Sequence, residues 1–380
     1  MNILITVGIF PPDIGGPASF VPKIANLLVD YGHRVTVICL TEKKQLDNDK
    51  FKVVRILRKQ NLIIRWIKTI FLIFKHGSKS NLIFVNGLPM ESYIANVVLR
   101  KKLYRKIVGD WAWERGMNRK LINESFDEFQ NNKHGLHLEI AKFSRGWTAT
   151  KAHLVITPSN HLKNIVQNWG VSGEKIKVIY NGTDINSTKK LENKLAPDNL
   201  KFITVGRLAP WKNINIMLEA FADYKQLNKN FTFYIVGSGP EEKALKNLTK
   251  KLGLEQEVVF TGQLDKDALS DVYKASNIYI QGSSYEGLPH VILEAISHNL
   301  SIISTPIGGT NEVLLGGKNG WIWKLHNSFQ PLKKDLINII EEISNDIEKD
   351  TLIKENAMSH INELFNEEEN LNSYIEILKK

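Results

Sequence analysis

Disulfide chemistry is closed to this chain. Its 380 residues include one cysteine, Cys39, so no intrachain bridge can form and a reducing compartment fits. Long hydrophobic runs are missing as well. The most apolar segment, NLIIRWIKTIFLIFKHG at 61–77, is broken by Arg65 and Lys68 and falls short of a membrane span. It reads either as a surface helix packing one face on a sheet or as a basic amphipathic helix at a membrane interface. The opening MNILITVGIFPP has no basic residues ahead of its apolar ones, which predicts a first strand rather than a signal peptide. Nothing suggests disorder or a solenoid repeat, since 43% of the chain is hydrophobic and 24% charged, a globular composition.

Charge is present but unevenly placed. Residues 1–198 hold 31 Lys and Arg against 16 Asp and Glu, whereas 199–380 hold 19 against 24. A basic first half, sharpened by LRKKLYRK at 99–106, implies an anionic partner for that half: membrane lipid, a phosphorylated acceptor or nucleic acid. Nucleic acid is the least supported, because no recognition helix, zinc spacing or stacking aromatic motif accompanies the charge.

Short β-branched runs alternate with helical patterns, which predicts an α/β chain with parallel sheets. Strands are expected at 2–7, 34–40, 51–56, 81–86, 105–109 and 153–158, with helices at 17–31, 61–75, 89–99 and 159–169 between them. The rhythm restarts with strands at 201–206, 231–237, 257–262, 277–282 and 300–305. The polar, Asn-rich stretch NGTDINSTKKLENKLAPDN at 181–199 reads as a linker. Two open α/β domains follow, 1–190 and 191–364, with a helix at 365–380 that could cross back to the first.

In open α/β sheets ligands bind outside the carboxyl ends of the strands, and four glycine-bearing stretches fall there. GIFPPDIGGPASF places Gly15 and Gly16 before a helix, either to let the backbone approach a ligand or as a plain turn. Gly206-Arg207 and Lys212 follow the strand at 201–206, where the two cations could flank one anion. IVGSGPEE lacks the third glycine of a dinucleotide fingerprint, so Gly237 and Gly239 serve a tight turn, beside a nucleotide base or without one. SSYEGLPHVILEAI puts Glu286 and Glu294 eight positions apart around Gly287, Leu288 and Pro289, at the start of an otherwise apolar helix. A carboxylate in such surroundings is costly unless paired. A pair on the order of 10 Å apart at a helix N-terminus suits a nucleoside diphosphate sugar, whose hydroxyls would face the acids and whose phosphates would lie between them.

In this order and context the chain resembles the retaining glycosyltransferases of family 4. The resemblance runs through FPPDIGGPASF, YGHRVTV, VIYNGTD, GRLAPWKN, IVGSGPE, YEGLPHVILEA and TPIGGTNEVL, with the Glu-x7-Glu pair its most specific part. It implies the GT-B fold, two facing Rossmann-like domains with a deep cleft, the first holding the acceptor and the second the donor. It implies catalytic roles for Arg207, Lys212, Glu286 and Asp110, the cations stabilising the leaving diphosphate. Donor binding would fall to Gly15, Gly16, Gly206, Gly237, Gly287, Leu288 and Glu294, with Glu294 on the ribose.

The resemblance further implies front-face attack with retention, and no metal or other cofactor beyond a UDP- or GDP-sugar co-substrate. The acceptor would be a glycan or a lipid-linked one in cell-surface polysaccharide or lipopolysaccharide synthesis, at the cytoplasmic face of a membrane. Two departures stand out: Gly109-Asp110 where relatives often have a histidine, and Asn213 where they often have glycine. DND at 47–49 and HGLH at 134–137 only imitate metal motifs. Competing readings are a nucleotide-sugar epimerase of the same architecture, which would consume donor without acceptor, a phosphorylase, which would normally need a lysine-bound pyridoxal phosphate and a longer chain, and a basic nucleic-acid-binding protein.

Overall fold

The computed structural model describes residues 1–42, 50–184, 199–227, 229–326 and 330–379. The DND run and most of the expected linker, with the cut at 190, lie outside the described residues. The chain forms two units. One comprises Met1–Val108, His134–Ile179 and Leu371–Lys380, and the other Gly109–Lys133 and Tyr180–Asn370.

The first unit is built on β1 (Asn2–Val7), β2 (Arg34–Thr41), β3 (Lys52–Leu57), β4 (Leu82–Val85), β5 (Lys102–Lys106), β6 (Leu154–Thr157) and β7 (Ile176–Val178). Among the described residues they make one parallel sheet in the order β3-β2-β1-β4-β5-β6-β7. Its central strands are apolar in continuous runs and buried along their length, as LIFV of β4 is, because helices cover both faces. The strand expected at 105–109 forms at Lys102–Lys106 instead. The chain leaves the sheet so that Asp110 can cap the next helix.

That register buries two cations. Arg105 donates to the Thr148 hydroxyl at 2.7 Å and the Arg145 carbonyl at 3.1 Å. The Lys106 ammonium sits 3.3 Å from the Phe20 ring centroid and 5.0 Å from that of Tyr374. Burial pushes the Lys106 amine down to about 7. Tyr374 lies on the last helix, Glu367–Lys379, and packs on Phe20 and Phe84.

The second unit carries β8 (Leu200–Val205), β9 (Phe231–Val236), β10 (Val258–Gly262), β11 (Ile278–Gln281), β12 (Ser301–Ser304) and β13 (Trp321–Ile322). They form a parallel sheet ordered β10-β9-β8-β11-β12-β13 among the described residues. Phe202, Phe221, Phe231 and Phe233 stack into one side of its core.

Gly109–Lys133 groups with this unit although it precedes residue 190 in the chain. Aromatic packing is the reason. Trp113 on helix Trp111–Asn118 lies 5.3 Å from Trp211 and 5.1 Å from Tyr285, and Phe126 stacks on Tyr285 at 3.9 Å. No helix among the described residues is long and apolar enough to cross a membrane.

Candidate functional site

The site assembles at the carboxyl ends of β8 and β11. After β8 the backbone turns at Gly206 and crosses the loop that follows β9. The Gly206 amide donates to the Val236 carbonyl and the Leu208 amide to the Ser238 carbonyl, both at 3.0 Å. A Cβ on Gly237 would lie 2.0 Å from the Gly206 oxygen, and one on Gly239 would lie 2.3 Å from the Leu208 oxygen. Close backbone approach therefore accounts for the glycines of VGSGP.

Beyond Leu208, Pro210–Lys212 makes one 3-10 turn that ends at Asn213 in the left-handed region, φ 52°. Asparagine tolerates that conformation, and its amide nitrogen donates to the Gly282 carbonyl at 2.7 Å. The Asn213 departure is thus a turn residue that also ties this loop to the one after β11.

That tie sets Lys212 beside Glu286. Lys212 Nζ stands 2.5 Å from Glu286 Oε1, and the Ser283 hydroxyl donates to the same oxygen at 2.7 Å. The two side chains are only 18% and 14% exposed, so the pair is largely withdrawn from solvent. Arg207 is exposed, and no hydrogen bond or ion pair holds it among the described residues. The Glu286–Leu288 loop is pinned from below. The Gly309 amide donates to the Glu286 carbonyl at 3.0 Å, and a Cβ on Gly309 would come within 2.1 Å of the Gly287 oxygen. The Leu288 side chain is buried in the core with Ile203 and Val236.

Pro289 caps helix His290–Ser297 rather than opening its first turn. Glu294 sits one turn in, with Oε1 3.3 Å from His290 Nε2 and Oε2 accepting from the Tyr273 hydroxyl at 3.3 Å. Burial pushes its carboxyl up, but the His290 hydrogen bond and charge, aided by Tyr273 and His298, outweigh it and hold the group below the usual range. Each acid of the Glu-x7-Glu pair thus has partners within the chain.

Asp110, expected to be catalytic, opens helix Trp111–Asn118. It is fully buried. Its Oδ1 accepts from the Ala112 and Trp113 amides and its Oδ2 from the Gln130 side chain. It caps helix Trp111–Asn118. One turn on, Glu114 is the acid that sequence reading missed. Burial pushes its carboxyl up, opposed by the charges of Arg207 and Lys212 and reinforced by that of Glu286, so it belongs to their electrostatic group. A Cβ on Gly109 would lie 3.1 Å from Glu114 Oε1 and 3.5 Å from the Tyr285 hydroxyl. The available signal was GDWAWE itself, a cap residue followed at helical spacing by a second acid.

Gly15 and Gly16 belong to the first unit. Gly15, at φ 148°, caps helix Gly16–Asp30, and a Cβ there would press on Ile9 at 2.9 Å. His134 of HGLH pairs with Glu139 at 3.5 Å. No group of three His, Cys, Asp or Glu among the described residues is placed to hold a metal ion.

Two family models divide the chain between them. That for Glycosyltransferase Family 4 matches residues 14–187 and that for Glycosyl transferases group 1 matches 186–360. An uncharacterized glycosyltransferase of Methanocaldococcus jannaschii is 32% identical over 60% of this chain, a stretch spanning 59% of that relative's length. The phosphatidylinositol N-acetylglucosaminyltransferase GPI3 subunit of Saccharomyces cerevisiae is 23% identical over 82% of this chain and 70% of its own. Among solved structures, Anabaena HepE in complex with UDP-glucose superposes with a TM-score of 0.77 at 23% identity, covering 100% of this chain and 99% of that one. At such identity the likeness concerns the fold, and that fold is GT-B.

Proposed function

The chain belongs to the family 4-type glycosyltransferases, and from that premise we propose that it moves a sugar from a nucleoside diphosphate donor to a glycan or lipid-linked acceptor with retention of configuration. The observation that carries the reading is the arrangement at the ends of β8 and β11. A solvent-facing Arg207 stands in one electrostatic group with the Lys212–Glu286 pair, and Glu294 is held ionised on the helix after them.

Breaking the bond to the donor places negative charge on the departing diphosphate. Preorganised cations lower that barrier because they need not reorient as charge develops. Arg207 is free to close on the phosphate, and Lys212 can exchange Glu286 for it. With two cations in this role, the reaction is expected to proceed without a divalent metal. Glu286 and the Gly287 and Leu288 amides would then face the transferred sugar, and Glu294 the ribose. Glu114, whose carboxyl feels the charges of Arg207, Lys212 and Glu286, joins Asp110 as a candidate acid for the reacting groups.

A UDP or GDP donor is the expectation, and UDP-glucose in the Anabaena neighbour supports the former. The yeast relative, named for transfer to phosphatidylinositol, supports a lipid acceptor. We place the reaction in cell-surface polysaccharide or lipopolysaccharide assembly at the cytoplasmic face of a membrane. The test is a thermal-shift and hydrolysis screen against UDP-, GDP- and ADP-sugars with and without chelator. One donor class should stabilise the fold, and Glu294→Ala should abolish that gain. Equal, weak responses to all three, or an unchanged response in the variant, would remove the reading.

A further inference from the structure

Three helices of the first unit share a layer and leave apolar side chains uncovered. Helix Leu62–Gly77 packs along helix Pro89–Leu99, which packs in turn on helix Leu136–Thr150, where the Tyr93 and Trp147 rings meet at 4.4 Å. Helix Leu62–Gly77 buries only Thr69, Ile73 and Gly77. At about 100° per residue, Ile63, Ile64, Ile67, Phe71 and Phe74 share an arc of about 100°, with Lys68 and Lys75 along its edge. All seven are exposed, Ile67 and Phe71 at 59% each. The neighbouring helices continue the surface with Val98 and Phe143, each 69% exposed. Scattered exposed apolar residues are ordinary, but a run across adjacent helices marks an interaction surface.

Charge selects the partner. From Lys50 to Met90 the chain has nine Lys and Arg and no Asp or Glu. A second copy meeting this face about a two-fold axis would bring like charges together. A surface that is apolar, edged by lysines and carried on convex helices fits an anionic interface into which side chains can sink without a matching pocket.

We propose that this three-helix face docks the first unit on an anionic lipid bilayer, with Ile63, Ile67, Phe71 and Phe74 entering the headgroup boundary and Lys68 and Lys75 meeting lipid phosphate. The inference goes beyond the transferase reading, because docking would hold whatever group the chain transfers.

Co-sedimentation with phosphatidylcholine vesicles, with and without phosphatidylglycerol, tests it on the full chain. Binding should require the anionic lipid and weaken at high salt. The Ile67→Ser, Phe71→Ser double variant should bind at least about tenfold more weakly at any salt, since it removes apolar insertion. Lys68→Gln, Lys75→Gln should bind more weakly at low salt only. Both pairs are exposed, so thermal unfolding and the response to donor should stay as in the parent, which separates failed docking from misfolding and from loss of the transferase site. Equal binding to neutral vesicles, undiminished binding by the serine variant, or a dimer in sedimentation equilibrium that the serine variant dissociates would overturn the proposal. The last outcome would assign the face to a second copy.

Discussion

Replacing Lys212 with methionine keeps the bulk of the side chain and removes its charge, leaving Glu286 with Ser283 as its remaining hydrogen-bond partner. The consequence can be sized from the geometry. Unit charges at 4 Å attract by about 4 kcal/mol at an effective dielectric of 20. Desolvation of two side chains only 18% and 14% exposed takes back much of this, which leaves a coupling of about 1–2 kcal/mol.

Lys212→Met should therefore lower the melting temperature by about 2–8 °C, at about 2–4 °C per kcal/mol. Glu286→Gln added to it should restore most of the loss, because no buried charge is then stranded. Activity should behave otherwise: the single variant should lose about 100- to 1,000-fold in turnover, and the double variant should not regain it. A double-mutant cycle from thermal unfolding and donor turnover measures both couplings. Additive stability effects would refute the ion-pair account. Recovery of turnover in the double variant would refute the leaving-group role.

Gly237→Ala would set a Cβ 2.0 Å from the Gly206 oxygen at φ 127°, and should cost about 2 kcal/mol or more in chemical denaturation. A neutral result would mean the two loops part freely. Trp113→Ala removes a fully buried ring from the Trp211–Tyr285 cluster and should cost about 3–5 kcal/mol, read from denaturant midpoints, with loss of the donor-induced thermal shift. Glu114→Gln should lower turnover while sparing donor affinity, and the pH dependence of turnover should change with it; equal effects on both would make Glu114 a structural residue.

Lys106 supplies a pH test. Its folded amine titrates near about 7 against an ordinary 10.5, so between these values the unfolded chain holds a proton that the folded chain has lost. Stability should rise with pH across that window and level off above it, and Lys106→Met should remove this part of the rise. Identical pH profiles for parent and variant would show that Lys106 stays charged over Phe20.

Most of the fold was legible because parallel strands buried on both faces read as unbroken β-branched runs. NILITV, RVTVICL and FTFYIV gave their strands within a residue or two. β5 slipped because its register depends on burying Arg105 and Lys106, and a sequence offers little reason to place two cations inside. β7 and β13 were missed as too short to show a period. The grouping of Gly109–Lys133 with the second unit rests on Trp113 and Phe126 meeting Trp211 and Tyr285, contacts about 100 residues or more apart in the chain that no local pattern reveals.

At the site, spacing alone singled out Glu286 and Glu294. Of their partners, Ser283 and His290 lie in the same stretch but were not read as their partners, Tyr273 comes from a separate helix, and only Lys212 was read as part of the site. Asp110 and Glu114 show the limit most clearly. One caps a short helix and the other lies one turn into it, and only the folded geometry tells which of them feels the charges of the cations.

The most direct measurement is a crystal structure of the chain with its intact donor. The diphosphate should lie within hydrogen-bond reach of both Arg207 and Lys212, with the Lys212–Glu286 pair opened and the ribose on Glu294. A donor bound elsewhere, or a Lys212 still closed on Glu286 beneath an occupied site, would contradict the account.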